Sequence, residues 1–164
     1  MAYHLRHGDH VALLPGGWAL VDALCDALRP RASPAALRDV VAAGGAPRFE
    51  LSDEGELVRA RYGHSRDVEL GYRPSQPPDL LFHGTAAGTV PVVLASGIRR
   101  QGRRYVHLSE TVATARQVGA RHGRPAVLRV DAHRMAADGH PFFHAAQGMW
   151  LADVVPPDYL DIVA

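Results

Sequence analysis

The sequence predicts an α+β protein of two lobes, the first made of helices followed by a hairpin and the second of mixed strands and helices. Three observations carry this reading. Residues 74–78 hold three prolines in five positions, which neither a helix nor a central strand tolerates, so residues 73–79 read as an extended linker. Before it, apolar residues first recur at helical spacing and then alternate around an acidic glycine turn. After it, short strand-like runs are separated by two stretches of helical length. The expected division is therefore residues 1–72 for the first lobe, 73–79 for the linker and 80–164 for the second lobe.

In the first lobe, Trp18, Val21, Leu24, Cys25 and Leu28 follow the helical period, and Pro30 stops the run. Ser33-Pro34 reads as an N-cap followed by proline at the first helical position. Leu37, Val40 and Val41 then supply an apolar face, and Gly44-Gly45 end the helix. Residues 48–52 and 57–61 flank Asp53-Glu54-Gly55-Glu56 as a hairpin. Short helices followed by a two-stranded wing suggest a winged-helix module, a shape that often binds nucleic acid without proving that it does. In the second lobe, strands are expected at 80–83, 105–109, 126–131, 142–143 and 149–153, and helices at 90–96 and 110–121.

Composition narrows the class. With 47% apolar and 21% charged residues in 164, the chain is an ordinary globular one. No apolar run approaches the ~18–20 residues that span a bilayer. The opening residues Met1–His7 lack the apolar stretch of a signal peptide, so a cytoplasmic protein without membrane association, and a monomer, is the expectation. One cysteine, Cys25, excludes an internal disulfide and a multi-cysteine zinc site. The net charge is only +1, but all 18 Lys-plus-Arg positions are arginine. A phosphate site must then use guanidinium forks or backbone amides. A P-loop lysine is impossible, and no GxGxxG follows a strand, so the ordinary nucleotide motifs are missing.

Several residues stand out. Arg6-His7 pairs a fixed cation with a titratable imidazole, which suits binding a phosphate while moving a proton. His4, His7 and His10 recur every third residue, but such steps drift around a helix and no carboxylate or cysteine joins them, so no metal site is expected. His83-Gly84-Thr85 reads as a histidine at a strand end followed by a glycine turn whose amides a ligand can approach. In the run 105–109, His107 and Ser109 share one strand face, on either side of Leu108. Arg48 heads the first hairpin strand, and Arg103 precedes the 105–109 strand.

The order and spacing of these pieces are more specific than any one of them. LRH near the start, PRFELS, VRARYGHS, QPPDLLFHGT, RRYVHLSETVATARQVGARHG and FFHAAQGMWLADVVPPDYL together resemble the RNA 2′-phosphotransferase family, from Leu5 to Leu160. The resemblance implies a winged-helix RNA lobe followed by an ADP-ribosyltransferase-like mixed α/β lobe that binds NAD. It implies removal of an internal 2′-phosphate from RNA at the expense of NAD, with tRNA splicing as a typical setting and no metal. An ADP-ribosylated RNA intermediate is implied, with 2′-OH RNA, nicotinamide and ADP-ribose 1″,2″-cyclic phosphate as products.

Residue by residue, the family's catalytic set falls on Arg6, His7, Arg48 and Arg103. NAD binding falls on His83, Gly84, Thr85, His107, Leu108 and Ser109, and RNA or phosphate contact on Arg59, His64 and Ser65. The family's helical turn upstream of LRH has little room here, so either the first helix is short or the true start lies upstream. Two other readings stay open: an ADP-ribosyltransferase acting on terminal phosphates of RNA or DNA, and a non-catalytic binder of phosphorylated RNA.

Overall fold

Local residue preference and long-range pairing both shape the first of the two units into which the computed structural model divides, Met1–Gly71 and Tyr72–Ala164. The structure describes residues 1–30, 32–43 and 48–163. The first unit runs α1 (Ala2–Arg6), β1 (Trp18–Leu20), α2 (Val21–Ala27), α3 (Pro34–Ala43), β2 (Phe49–Leu51) and β3 (Leu57–Ala60). α3 starts where residue type dictates: Ser33 Oγ accepts from the Ala36 amide at 3.2 Å, with Pro34 at the first helical position. Leu37 is buried and Val41 packs on the core, but Val40 is 57% exposed, so only part of the expected apolar stripe faces inward. The expected Gly44-Gly45 stop lies outside the described residues.

β2 and β3 form the expected hairpin, with Phe49 opposite Ala60 and Leu51 opposite Val58. Gly55 closes it at φ +71°, a backbone that side chains disfavour. Trp18 departs from expectation. It lies in β1, opposite Arg59, and gives a three-stranded antiparallel sheet in the order β1-β3-β2. Ladder bonds to β3 and the Arg59 guanidinium, 4.5 Å from the Trp18 ring centroid, outweigh the helical period there. The helix begins only at Val21, where the backbone amide donates to Glu56 O at 2.9 Å. Leu5, Leu24, Leu37, Phe49 and Val58 form the centre of the core between helices and sheet.

The second unit contains β4 (Leu80–Ala86), α4 (Val90–Ser96), β5 (Ile98–Arg99), β6 (Val106–Ser109), α5 (Val112–Gly119), β7 (Pro125–Asp131), α6 (Ala132–Ala137), β8 (Phe142–Ala146), β9 (Met149–Ala152), β10 (Val154–Val155) and β11 (Leu160–Ile162). Six strands form one antiparallel sheet in the order β11-β7-β4-β6-β9-β8, and β5 pairs with β10. Leu81, Val106, Leu108, Val130, Phe142 and Trp150 build its core with Met135 of α6.

β4 is longer than expected because β7 pairs with it from Leu80↔Asp131 to Ala86↔Pro125. Residues 72–75 run along β8, at the end of the sheet. Ser75 N–H donates to Phe142 O at 2.8 Å, Pro74 bridges Phe143, and the Tyr72 ring lies 6.0 Å from Tyr105 and 6.3 Å from Phe143. The proline-rich stretch is thus extended, as its residues require, and covers an otherwise open strand edge. Among the described residues, no helix is long and apolar enough to cross a membrane.

Candidate functional site

In the first unit, α1 delivers Arg6 and His7. The Arg6 Cζ lies 5.4 Å from the Phe49 ring centroid and 5.2 Å from that of Tyr62. Gly63, at φ +89°, leaves room for it: a Cβ there would stand 3.3 Å from Arg6 Cζ. The exposed Arg48 places its Cζ 5.9 Å from the same Phe49 ring. One aromatic ring, held in the core by β2, therefore gathers two of the expected arginines. Cation–π contact favours this arrangement and restrains both side chains.

His7 is exposed, and its Nδ1 lies 2.9 Å from Ser65 Oγ. The Ser65 amide donates to Arg6 O at 3.1 Å, and Arg66 Nη1 donates to Gly8 O at 2.8 Å. His64 is only 2% exposed, and its pKa falls to about 4. Burial is the main cause, followed by repulsion from Arg6, His7, Arg66 and Arg59. His64 is therefore a neutral ring beneath the charged groups. Arg59 stacks on Trp18, donates to Gly16 O at 3.1 Å and pairs with Glu50, which Arg61 approaches at 3.4 Å. Of the three residues expected to contact RNA, only Ser65 is exposed.

In the second unit, the expected turn at His83-Gly84-Thr85 is corrected: all three residues lie inside β4. Gly84 is needed for packing. A Cβ on it would stand 1.6 Å from Ala115 O, so the α5 backbone rests directly on the strand. Gly119 meets Thr85 O in the same way, at 2.8 Å from its ideal Cβ. Leu108 is fully buried in the core, so its side chain faces no ligand. Ser109 is buried, opposite Phe82 and Met149, and His107 lies opposite Leu151 on the same strand face.

The histidines carry the polar chemistry of this unit. His83 Nδ1 lies 3.1 Å from His107 O, and His107 Nδ1 lies 3.0 Å from Tyr105 O. A carbonyl only accepts, so each Nδ1 carries the hydrogen, and the neutral His83 ring keeps Nε2 as an acceptor. The His83 pKa is lowered, mainly by burial and also by Arg103 and His122; the bond to His107 O partly opposes this. Neutral imidazole acceptors fit hydroxyl and amide donors. Arg103 is exposed in the turn before β6, where its amide donates to Arg100 O at 3.0 Å. His122, in the Ala120–His122 turn, also bears on His83, and the sequence signals it through its place in the run RQVGARHG. Among the described residues, no three or more His, Cys, Asp or Glu side chains are grouped to hold a metal ion.

The family model described as "RNA 2′-phosphotransferase, Tpt1 / KptA family" matches residues 1–154. A protein of Agrobacterium fabrum named "Probable RNA 2′-phosphotransferase" is 44% identical over 170 aligned positions, covering 100% of this chain and 91% of that protein. A protein of the same name from Trichormus variabilis is 40% identical, covering 99% of this chain and 93% of its own length. One from Streptomyces coelicolor is 42% identical, with 98% and 90% covered. The matched range includes Arg6, His7, Arg48, His83, Arg103 and His107, and the chain belongs to the RNA 2′-phosphotransferase family.

Proposed function

We propose that the protein removes an internal 2′-phosphate from RNA with NAD as co-substrate, through an ADP-ribosylated RNA intermediate. The observation that carries this is the convergence of Arg6 and Arg48 on the Phe49 ring, with His7 following directly in the chain. Two fixed cations beside a titratable imidazole suit a phosphate that must be bound and then transferred. The three-stranded sheet with its helices supports a winged-helix RNA lobe. The six-stranded antiparallel sheet supports an ADP-ribosyltransferase-like lobe. The donor set of the second unit fits the co-substrate: His83 turns an Nε2 acceptor to ribose hydroxyls or the nicotinamide amide, and the His107 carbonyl orients its ring. When bound, NAD supplies an electrophilic ribose carbon with nicotinamide as its leaving group.

In the first step, a 2′-phosphate oxygen of the RNA bonds to C1″ of the nicotinamide ribose. The C1″–N bond breaks, and nicotinamide departs with its electron pair. In the second, His7 takes the proton of ribose O2″ as that oxygen bonds to phosphorus. It returns a proton to the RNA O2′ as the P–O2′ bond breaks. Arg6, Arg48 and Arg103 neutralise the phosphate oxygens throughout. Proton uptake and release balance, and no metal enters.

The test is incubation with NAD and an oligonucleotide bearing one internal 2′-phosphate. Nicotinamide, 2′-OH RNA and ADP-ribose 1″,2″-cyclic phosphate are expected. No nicotinamide release would indicate a binder, and a stable ADP-ribosylated end would indicate the terminal-phosphate enzyme; either overturns the proposal.

A further inference from the structure

The short run after β3 ties down both flanks of the exposed His7. On one side, the Ser65 amide donates to Arg6 O at 3.1 Å, and Ser65 Oγ stands 3.5 Å from the same carbonyl. On the other, Arg66 Nη1 donates to Gly8 O at 2.8 Å and Val11 O at 3.3 Å. Ser65 Oγ is also 2.9 Å from His7 Nδ1. A surface histidine on a loop ordinarily samples several rotamers and both neutral tautomers. Here its ring is linked to a serine whose own backbone is fixed to the residue before it.

We propose that Ser65 is a positioning residue that holds His7 as the Nδ1–H tautomer, so that Nε2 is the nitrogen that exchanges a proton. The Arg6 carbonyl only accepts, so the Ser65 hydroxyl facing it donates there. The hydroxyl oxygen then accepts from His7 Nδ1–H. This order serves the neutral and the protonated ring equally, because both carry a hydrogen on Nδ1. A proton can come and go at Nε2 with none of these bonds broken. The opposite order, with the hydroxyl donating to Nδ1, would have to break whenever the ring becomes protonated. Ser65 thereby acts on the reaction through His7 rather than by contact with RNA. The catalytic consequence rests on His7 being the proton carrier of the proposed reaction; the tautomer does not.

The experiment uses the full chain with ¹⁵N-labelled histidine rings. The His7 signal is identified by its loss in His7→Gln, and two-bond ¹H–¹⁵N spectra are read at a pH where His7 is neutral. The wild type is expected to show the Nδ1–H tautomer. Ser65→Ala is expected to shift His7 toward the Nε2–H form that free histidine prefers, and Ser65→Thr to keep Nδ1–H. In parallel, Ser65→Ala should lower kcat for 2′-phosphate removal by up to about 10²-fold with KM unchanged, the scale of a catalytic group misplaced by about 1 Å. Ser65→Thr should restore it. A wild-type His7 that is mainly Nε2–H overturns the proposal, and so does a folded Ser65→Ala whose His7 tautomer matches wild type. A tautomer that responds as stated in a protein inactive on 2′-phosphorylated RNA upholds the positioning role and overturns only the functional reading of His7.

Discussion

Arg6 and Arg48 in the first unit lie over the faces of aromatic rings, whereas His83 and His107 in the second tie one ring nitrogen to main-chain carbonyls. Beneath the first arrangement, burial above all, and then repulsion from Arg6, His7, Arg66 and Arg59, lets His64 take up a proton only near pH 4. The second keeps His83 as a neutral hydrogen-bonding group, held below its ordinary pKa chiefly by burial. Both units use burial and aromatic or carbonyl neighbours, but to opposite ends. Guanidinium groups keep their charge beside a ring and suit an anion. An imidazole that donates from Nδ1 to a carbonyl suits a hydroxyl. Under the proposed function, the contrast suits phosphate chemistry in the first unit and co-substrate binding in the second.

Four measurements break or sharpen that contrast. The largest effect is expected at the arginines of the first unit: Arg6→Ala and Arg48→Ala should each lower turnover by about 10²–10³-fold, the usual weight of a charge-assisted contact to developing charge. NAD affinity measured by calorimetry should stay unchanged in both. A folded Arg48→Ala with wild-type turnover removes Arg48 from the site.

Arg103 is the exception to the division, a cation in the unit of His83 and His107 that helps to lower the His83 pKa. Charge neutralisation matters most in the second step, so Arg103→Ala should lose about 10²-fold and let ADP-ribosylated RNA accumulate. A gel time course with labelled 2′-phosphate would show it as a slower band. Activity loss with no such band at any time means that Arg103 serves the first step instead.

The next effect is on stability. His64 titrates at about 4 when folded and at 6.5 when unfolded. Between those values the unfolded chain binds more protons, so stability falls as pH drops through that window and is retained above it. The full loss is about 3 kcal/mol. Urea unfolding of wild type and His64→Leu between pH 7 and pH 4 should show a steeper decline in the wild type; parallel curves would mean that the ring is not held neutral.

The smallest effect is at His83. One neutral hydrogen bond contributes about 0.5–1.5 kcal/mol, so His83→Ala should weaken NAD binding by about 10-fold or less. RNA binding should change less than NAD binding. Equal losses of both ligands would erase the assignment of His83 to the co-substrate.

Several of these features are legible in the chain itself. Ser33-Pro34 starts α3 and Gly55 turns the hairpin because cap and turn chemistry act over a few residues. The helix expected at 90–96 matches α4, whose second residue is proline. The motif set from LRH to VPPDYL resembles the RNA 2′-phosphotransferase family, and the family comparison agrees.

What the sequence by itself determined is therefore local and ordinal: caps, turns, strand-forming runs, and the order of Arg, His, Arg, His, Arg and His along the chain. Only the tertiary structure decided how those residues are used. Trp18 has helical spacing but lies in a strand because β3, some 40 residues away, pairs with it. Gly84 reads as a turn but sits mid-strand, since β7 extends the ladder and α5 needs the space a side chain would fill. His64 and Ser65 are adjacent, yet one is a sealed neutral ring and the other reaches the ring of His7. Burial, protonation and hydrogen-bond direction depend on groups distant in sequence, and folding alone brings those groups within reach.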